Sequence, residues 1–195
     1  MSPWEYALLA QEAYTAAPDI GRADSASRAI IREVDDGLVV AFPGTDNIPC
    51  VEDDLDMRIV NIPGVGDVFK GFWDAWDAIA SEVLKYTNSR PVIFVGHSLG
   101  AAISLMAAAD YNSLRLQVLS VWGFEPPRVV VGSGLRLDGV TMHLYRNGGD
   151  VVPLLPSWGS HPTSLINIGK PTLLPNIADH YITRVIESLE PSSCP

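Results

Sequence analysis

The stretch that most restricts the fold of this chain covers residues 92–110, VIFVGHSLGAAISLMAAAD. An apolar run rich in β-branched and aromatic residues ends at Gly96, and an alanine-rich helical pattern begins at Leu99. A strand is therefore predicted to pass into a helix through a very short turn. Ser98 lies in that turn, two residues after Gly96 and two before Gly100. This serine is either a helix N-cap, for which serine is favoured, or a nucleophile held at a sharp strand-to-helix corner.

The order of the flanking segments predicts an α/β fold. The runs RAIIREV and GLVVAF flank Asp35-Asp36-Gly37, a pattern typical of a β-hairpin. Near-continuous apolar strands that alternate with helices indicate a mostly parallel sheet covered by helices on both faces, so the hairpin is expected at an antiparallel N-terminal edge. Helices are predicted over residues 4–15, 71–87, 99–110 and 178–189, and strands over 28–34, 37–42, 91–95, 117–124, 140–146 and 164–169, with a loop over 43–67 that the short run RIVNI interrupts. In the first helix, Trp4 and Leu8 are expected to mark the faces.

Length and charge narrow the class of protein. A chain of 195 residues is expected to form a single domain, residues 1–195, with one hydrophobic core. The net charge of −10 disfavours nucleic acid as a partner and gives no attraction to anionic lipid. The N-terminal residues do not resemble a signal peptide and no run is long enough to span a membrane, so we expect a soluble, cytoplasmic protein, with export by another route left open. Cys50 and Cys194 allow at most one disulfide.

A nucleophilic serine needs a base, and four histidines are available. In open α/β sheets the functional site lies outside the carboxyl ends of the strands. His180 follows the last predicted strand and is therefore the preferred base, whereas His161 precedes that strand and His143 lies within another. His97 adjoins the serine and is expected to pack away from it. The alternative for His180 is an ordinary residue at a helix start.

The same rule selects the acid that would orient the base. Asp150 follows the predicted strand VTMHLYR through an Asn-Gly-Gly turn. Glu125 follows the preceding strand, at the same edge of the sheet, and remains a rival. A turn-forming role is the alternative for Asp150. The order Ser98, Asp150, His180 is the one expected of an α/β-hydrolase.

Six short sequence motifs, spread over most of the chain, bear on the family of this protein. They are AFPGT at 41–45, VFKGF at 68–72, GHSLG at 96–100, FEPPRV at 124–129, NGGDVVPLLP at 147–156 and Asp179-His180. In this order they resemble motifs of the class 3 lipases, a fungal-lipase-like family that includes feruloyl esterases. The chain departs from the family at Pro43, Phe69 and Glu125, where the family has Arg, His and Gly.

The resemblance implies an α/β-hydrolase fold and hydrolysis of carboxylic esters by Ser98, Asp150 and His180. It also implies that Thr45 and Leu99 form an oxyanion hole, although Thr45 could be a simple turn residue. Acyl transfer or amide hydrolysis by the same triad, and a non-catalytic binding protein with this fold, are the competing functions. No metal cluster, phosphate loop or dinucleotide motif occurs in the sequence, so no cofactor is predicted.

In the family, the stretch after the oxyanion residue carries a lid, which corresponds here to residues 46–60. Its acidic residues resist burial in a lipid aggregate, which favours dispersed short- to medium-chain esters; an ordinary solvated loop is the alternative. The acidic residues are Asp46, Glu52, Asp53, Asp54 and Asp56. The acyl pocket is expected to be lined by apolar residues near the acid and the base, namely Leu154, Leu155, Trp158 and Ile177, although ordinary packing would explain them too.

Overall fold

A computed structural model describes residues 1–45, 55–172 and 174–191 of the chain. Its helices are α1 (Pro3–Thr15), α2 (Lys70–Thr87), α3 (Leu99–Ser113) and α4 (Ile182–Leu189). Its strands are β1 (Ile20–Gly21), β2 (Arg28–Val34), β3 (Gly37–Phe42), β4 (Ile59–Ile62), β5 (Gly66–Phe69), β6 (Val92–His97), β7 (Val118–Phe124), β8 (Met142–Asn147) and β9 (Ile166–Ile168). Two short 3-10 helices cover Val152–Leu154 and Ile177–His180.

Seven of the strands form one sheet in the order β1-β2-β3-β6-β7-β8-β9. The pairs β1–β2 and β2–β3 are antiparallel, and every pair from β3 to β9 is parallel. This arrangement confirms the predicted mostly parallel sheet with an antiparallel N-terminal edge. Strands β4 and β5 form a separate antiparallel pair.

The two faces of the sheet are covered by different helices. On one face, α2 and α3 pack against the sheet through Phe72, Trp76 and the apolar side of α3. On the other face, α1 and α4 contribute Tyr6, Ala7 and Val185. Helix α1 begins with a capping box in which Ser2 and Glu5 exchange hydrogen bonds, and Pro3 at its first position suits that start. The sheet is therefore buried on both sides, as the continuous apolar strands predict.

The strand register brings the carboxyl ends of four parallel strands together. Phe42 of β3 pairs with Gly96 of β6, His97 of β6 with Phe124 of β7, and Phe124 with Tyr145 of β8. The residues that follow these strands therefore meet along a single edge. That edge is where Thr45, Ser98, Glu125 and Asp150 emerge.

Two expectations fall wholly or mainly outside the described residues. Most of the predicted lid, residues 46–54, is one of them, and the pairing of Cys50 with Cys194 is the other. Within residues 55–60, Asp56 forms an ion pair with Arg58 that holds the pKa of Asp56 at about 2. Among the described residues, no helix is both long and apolar enough to cross a membrane.

Candidate active site

Ser98 lies at the corner between β6 and α3 in a left-handed backbone conformation, with φ 55° and ψ −124°. Residues other than glycine rarely adopt a positive φ, because their Cβ atom crowds the backbone. The backbone N–H of Ser98 donates to the carbonyl of Phe124 at 2.9 Å, which anchors the corner to the end of β7. Ser98 occupies the N-cap position of α3, yet its side chain makes no capping hydrogen bond. Its Oγ is buried and has no hydrogen-bond partner among the described residues.

The glycines on either side of Ser98 allow the helix to approach the sheet. A Cβ added to Gly96 would lie 2.1 Å from the carbonyl oxygen of Gly100. One added to Gly100 would lie 2.2 Å from the carbonyl oxygen of Phe42 and 2.6 Å from that of Pro43. Because these neighbours are backbone atoms, they cannot move aside as a side chain could. The G-x-S-x-G spacing thus follows from the close contact of α3 with β6 and with the end of β3.

His180 and Asp150 form a fully buried pair, with His180 Nδ1 2.6 Å from Asp150 Oδ2. Burial alone would raise the pKa of Asp150, but the hydrogen bond with His180, together with the neighbouring Glu125 carboxyl, outweighs that effect and holds the pKa below its ordinary value. The other Asp150 oxygen, Oδ1, accepts the backbone N–H of Val152 at 3.1 Å. Asp150 is therefore an ionised acceptor fixed in place by two donors.

The ionised state of Asp150 settles the tautomer of His180. A carboxylate can only accept, so His180 Nδ1 must carry the hydrogen, which leaves Nε2 with a free lone pair. His180 Nε2 is buried and without a hydrogen-bond partner in the described part of the chain. The imidazole is thus oriented as a base by its acidic partner.

His97 holds His180 from the opposite side. Nε2 of His97 lies 2.7 Å from the backbone oxygen of His180, and Nδ1 lies 2.6 Å from the hydroxyl of Tyr14. Because a carbonyl only accepts, Nε2 is the donor and the Tyr14 hydroxyl donates to Nδ1. Complete burial, together with the neighbouring His180, lowers the pKa of His97 to about 3, so this ring is neutral. His97 was expected only to pack, and its sequence position beside Ser98 does not indicate this link.

Glu125 lies beside the same pair and is fully buried. Its Oε1 accepts the backbone N–H of Asn147 at 2.5 Å. Asp150, and not its rival Glu125, bonds to Nδ1 of His180. One carboxylate oxygen from each acid and a ring nitrogen of His180 nevertheless lie within 4.8 Å of one another.

Glu125, Asp150 and His180 form the one compact group of potential metal ligands in the described parts of the chain. All three side chains are buried. Asp150 Oδ2 and His180 Nδ1 are already bonded to each other, so a cation at this point would have to displace that hydrogen bond. The donor set therefore fits an acid–base pair better than a metal centre.

The two remaining histidines lie in other surroundings. His161 Nε2 is 2.7 Å from the backbone oxygen of Pro153. The ring of His143 stacks on Trp122 with a centroid separation of 4.0 Å. Neither imidazole is hydrogen-bonded to Asp150.

Leu99 directly follows the serine, and Thr45 directly follows Gly44, which lies close to it. Leu99 is the first residue of α3, where backbone N–H groups lack intrahelical acceptors. Thr45 follows Gly44, whose added Cβ would lie 2.9 Å from the Cβ of Ser98. The Thr45 Oγ1 is buried and has no hydrogen-bond partner within the described residues.

The residues predicted for an acyl pocket lie mainly at the surface. Trp158 is 65% exposed, Ile177 46% and Leu154 39%, whereas Leu155 is half-buried. A cleft of about 390 Å³ lies instead beside Thr45. It is lined by Tyr14, Ala23, Asp24, Ser25, Ala26, Arg28, Gly44 and Thr45.

The likeness to solved structures concerns the fold. The Rhizomucor miehei lipase in complex with its propeptide superimposes with a TM-score of 0.66 at 20% identity, over 92% of this chain and 79% of that one. A triacylglycerol lipase described as having a serine protease triad as its catalytic centre also gives 0.66 at 20% identity, over 91% of each chain. Both support the α/β-hydrolase fold.

Sequence comparison identifies the family. The secreted mono- and diacylglycerol lipase MDL3 of Malassezia globosa is 33% identical over 156 residues, which are 67% of this chain and 51% of that protein. The secreted mono- and diacylglycerol lipase A of Penicillium camembertii is 25% identical over 147 residues, covering 68% and 47%. The chain thus spans about half the length of these relatives. The family model for class 3 lipases matches residues 39–159, and the chain belongs to that family.

Proposed function

We propose that this protein is a serine carboxyl-ester hydrolase whose catalytic residues are Ser98, His180 and Asp150. The observation that carries the proposal is the buried 2.6 Å bond between His180 Nδ1 and Asp150 Oδ2, at the sheet edge from which Ser98 emerges. The unpaired Ser98 Oγ and His180 Nε2 supply a nucleophile and a base with no competing hydrogen bond in the described chain. Membership of the class 3 lipase family supports the same reaction.

In this mechanism, Ser98 Oγ attacks the ester carbonyl while His180 Nε2 takes the hydroxyl proton. Collapse of the tetrahedral intermediate breaks the bond to the leaving alkoxide, which receives that proton from His180. Water then repeats the sequence on the acyl-enzyme and releases the carboxylic acid. Asp150 keeps the imidazole in the required tautomer and stabilises the transient imidazolium.

The oxyanion hole is assigned to the backbone N–H groups of Thr45 and Leu99. Leu99 contributes the positive end of the α3 dipole as well as its own N–H group. The Thr45 hydroxyl supports this placement, since it is buried and, among the residues that the structure describes, has no partner, which leaves it able to bind a ligand. Loss of one such donor typically lowers turnover by about 10²–10³.

The proposed substrates are short- to medium-chain acyl esters. The cleft beside Thr45 supports this choice, because Asp24, Ser25 and Arg28 give it a polar wall. Such a wall suits a polar alcohol or a short acyl chain better than a long alkyl chain. Leu154, Leu155, Trp158 and Ile177 remain candidates for contact with the apolar part of the substrate.

The compartment is proposed from the relatives. The matched proteins are named secreted mono- and diacylglycerol lipases, which does not support the cytoplasmic location expected for this chain. We propose extracellular esters as its substrates.

The decisive experiment is labelling with a fluorophosphonate, in which the serine oxygen displaces fluoride from phosphorus. The native protein should gain the mass of one phosphonyl group, and Ser98→Ala should gain none. Ser104→Ala is the matched control, because Ser104 is a buried serine of α3 whose hydroxyl is bound to the carbonyl of Gly100 at 2.8 Å. Absence of label on well-folded native protein would favour a non-catalytic binding protein.

The base is tested on p-nitrophenyl esters by comparing His180→Ala with His161→Ala. We expect His180→Ala to lose about 10⁴-fold or more in kcat, as serine hydrolases do when the base is removed. His161→Ala should stay within about threefold of the native rate, since Nε2 of His161 is hydrogen-bonded to the Pro153 carbonyl and the ring is not bonded to Asp150. The opposite ranking would assign the role of base to His161.

Native protein that is labelled by the fluorophosphonate but does not turn over any ester would point to amide hydrolysis or acyl transfer.

A further inference from the structure

Glu125 is a buried carboxyl group that the proposed reaction does not use. It directly follows β7 and adopts φ 53°, a left-handed conformation that favours glycine. Its Oε1 accepts the backbone N–H of Asn147, whereas its Oε2 is buried without a partner among the described residues. An ionisable side chain at a strained, fully buried position calls for a reason.

If Glu125 carries a proton, its carboxyl group can donate a hydrogen bond to Asp150. A carboxylate oxygen of Asp150 lies within 4.8 Å of one of Glu125, and two carboxylates cannot bond to each other. With a proton on one of them, the pair becomes an O–H···O hydrogen bond. Among the described residues, Asp150 already accepts from His180 and from Val152, whereas Glu125 accepts from Asn147 alone. The better-supplied Asp150 is therefore the anion, and Glu125 holds the proton.

The surrounding charges agree with that assignment. Burial raises the pKa of Glu125 well above its ordinary value, and the neighbouring Asp150 carboxylate raises it further. The Asn147 N–H and the guanidinium of Arg146 act in the opposite direction and are outweighed. Arg146 is directed elsewhere, since its Nε donates to the backbone oxygen of Asp150 at 3.0 Å. Other titratable groups on the surrounding elements are His180 and, beyond it, the neutral His97, together with Tyr145 of β8 and Asp179 beside His180.

We propose that Glu125 is a positioning residue that remains protonated and donates its O–H to Asp150, holding that carboxylate against Nδ1 of His180. The proposal rests on the catalytic assignment of Asp150 and His180 given above. It adds Glu125 to the series of interacting side chains formed by Ser98, His180 and Asp150. It also implies an upper pH limit for the reaction, because loss of the Glu125 proton would leave two adjacent buried carboxylates that repel each other and displace Asp150.

The test compares Glu125→Gln with Glu125→Met. Glutamine keeps the shape, accepts from the Asn147 N–H and donates an amide N–H to Asp150, but it cannot ionise. Its kcat for a p-nitrophenyl ester at neutral pH should stay within about threefold of native, and the fall in kcat at high pH should disappear. Methionine has similar volume and no donor, so its kcat should fall by about ten- to a hundredfold while KM changes little, as expected when a catalytic group is misplaced.

A second measurement does not depend on activity. The native protein at neutral pH should show the infrared carbonyl stretch of a protonated carboxylic acid, and Glu125→Gln should lack it. This readout decides the protonation state even if Glu125→Met fails to fold. A Glu125→Gln variant as impaired as Glu125→Met, an unchanged high-pH limb in Glu125→Gln, or absence of the infrared band would each overturn the proposal.

Failure of this proposal can be told apart from failure of the proposed function. Native protein that labels with the fluorophosphonate while Glu125→Gln keeps its high-pH limb would reject only the role of Glu125. Native protein that does not label would reject the hydrolase itself. The infrared result stands in either case.

Discussion

At the scale of single residues, the proposed site depends on a series of hydrogen bonds that orients the imidazole of His180. Tyr14 donates to His97, and His97 donates to the backbone of His180. The side chain of His180 donates to Asp150. The donor nitrogen of each ring faces an acceptor that cannot donate, so the tautomers of both rings follow from the carbonyl and the carboxylate. The lone pair that remains is on His180 Nε2, the atom proposed to take the serine proton.

His97 makes the folding free energy depend on pH. Its folded pKa of about 3 lies below its ordinary value of 6.5, so the unfolded chain takes up a proton first as the pH falls. Stability from this group is complete above pH 6.5 and is lost as the pH falls towards 3, by about 1.4 kcal/mol per pH unit. We predict that His97→Gln, which cannot titrate but still offers an N–H to the His180 carbonyl, loses less stability than the native protein in this range.

The measurement is urea unfolding of both proteins at pH 7.5 and pH 5. His143→Gln is the control, because it removes a half-buried imidazole that stacks on Trp122. The acid-induced loss of unfolding free energy should shrink clearly in His97→Gln and much less in His143→Gln. Equal losses in the native protein and His97→Gln would show that His97 is not the group that titrates.

Sequence reasoning placed several of these residues and preferred Asp150 and His180, but it could not dismiss Glu125. Glu125 and Asp150 follow neighbouring strands at the same edge, so their spacing along the chain left both as candidate acids. Only the bond from Asp150 to His180 Nδ1 separates them in space. The link from His97 to His180 joins residues 83 positions apart, and a local pattern carries no information about it.

At the scale of elements, the structure is held by close contact between α3 and the sheet. Twelve of the fifteen residues of α3 are buried, which agrees with its nearly uniform apolar sequence. Gly100 lets the first turn of α3 touch the end of β3. The same contact places the N-terminus of the helix next to Thr45.

We predict that Gly100→Ala disrupts this junction. Its added Cβ would meet two backbone carbonyl oxygens at 2.2 and 2.6 Å, so α3 must shift away from β3. The cost should be about 3 kcal/mol or more in the free energy of unfolding, with loss of fluorophosphonate labelling at Ser98. Gly139→Ala is the control. Its Cβ meets nothing within 4 Å, and its φ of 77° imposes a strain of about 1 kcal/mol. Gly100→Ala as stable and as reactive as Gly139→Ala would contradict this reading of the motif.

The elements also show which sequence patterns are informative. Strands β2 and β3 occupy the predicted residues 28–34 and 37–42, because β-branched runs on either side of Asp-Gly specify a hairpin. The first helix was predicted over 4–15 with Trp4 and Leu8 marking its faces. Its buried residues are instead Tyr6, Ala7, Ala10 and Ala13. Small alanines allow α1 to lie close to the sheet, and a search for large apolar residues does not detect such a face.

Strand β1 has only two residues, which are too few to show any periodicity in the sequence.

At the scale of the whole molecule, the net negative charge affects how closely the proposed site can approach a charged interface that holds an ester. A net charge of −10 repels the protein from anionic surfaces over roughly the Debye length, which is about 10 Å at 0.1 M salt. Exposed apolar side chains near the site, such as Trp158 and Ile177, favour contact with an ester phase. These two influences oppose each other, and their balance depends on the charge of the interface and on salt.

We therefore predict that the enzyme hydrolyses dispersed esters with little gain at an interface. With a p-nitrophenyl ester of short chain, the rate should saturate below the solubility limit and rise by less than about threefold above it. For an ester embedded in anionic vesicles, raising the salt from 0.05 to 1 M should increase the rate, because the Debye length falls to about 3 Å. Zwitterionic vesicles are the matched control and should show a much smaller salt effect. A sharp rise in rate above the solubility limit, or equal salt effects on both vesicles, would mean that apolar contact outweighs charge at this site.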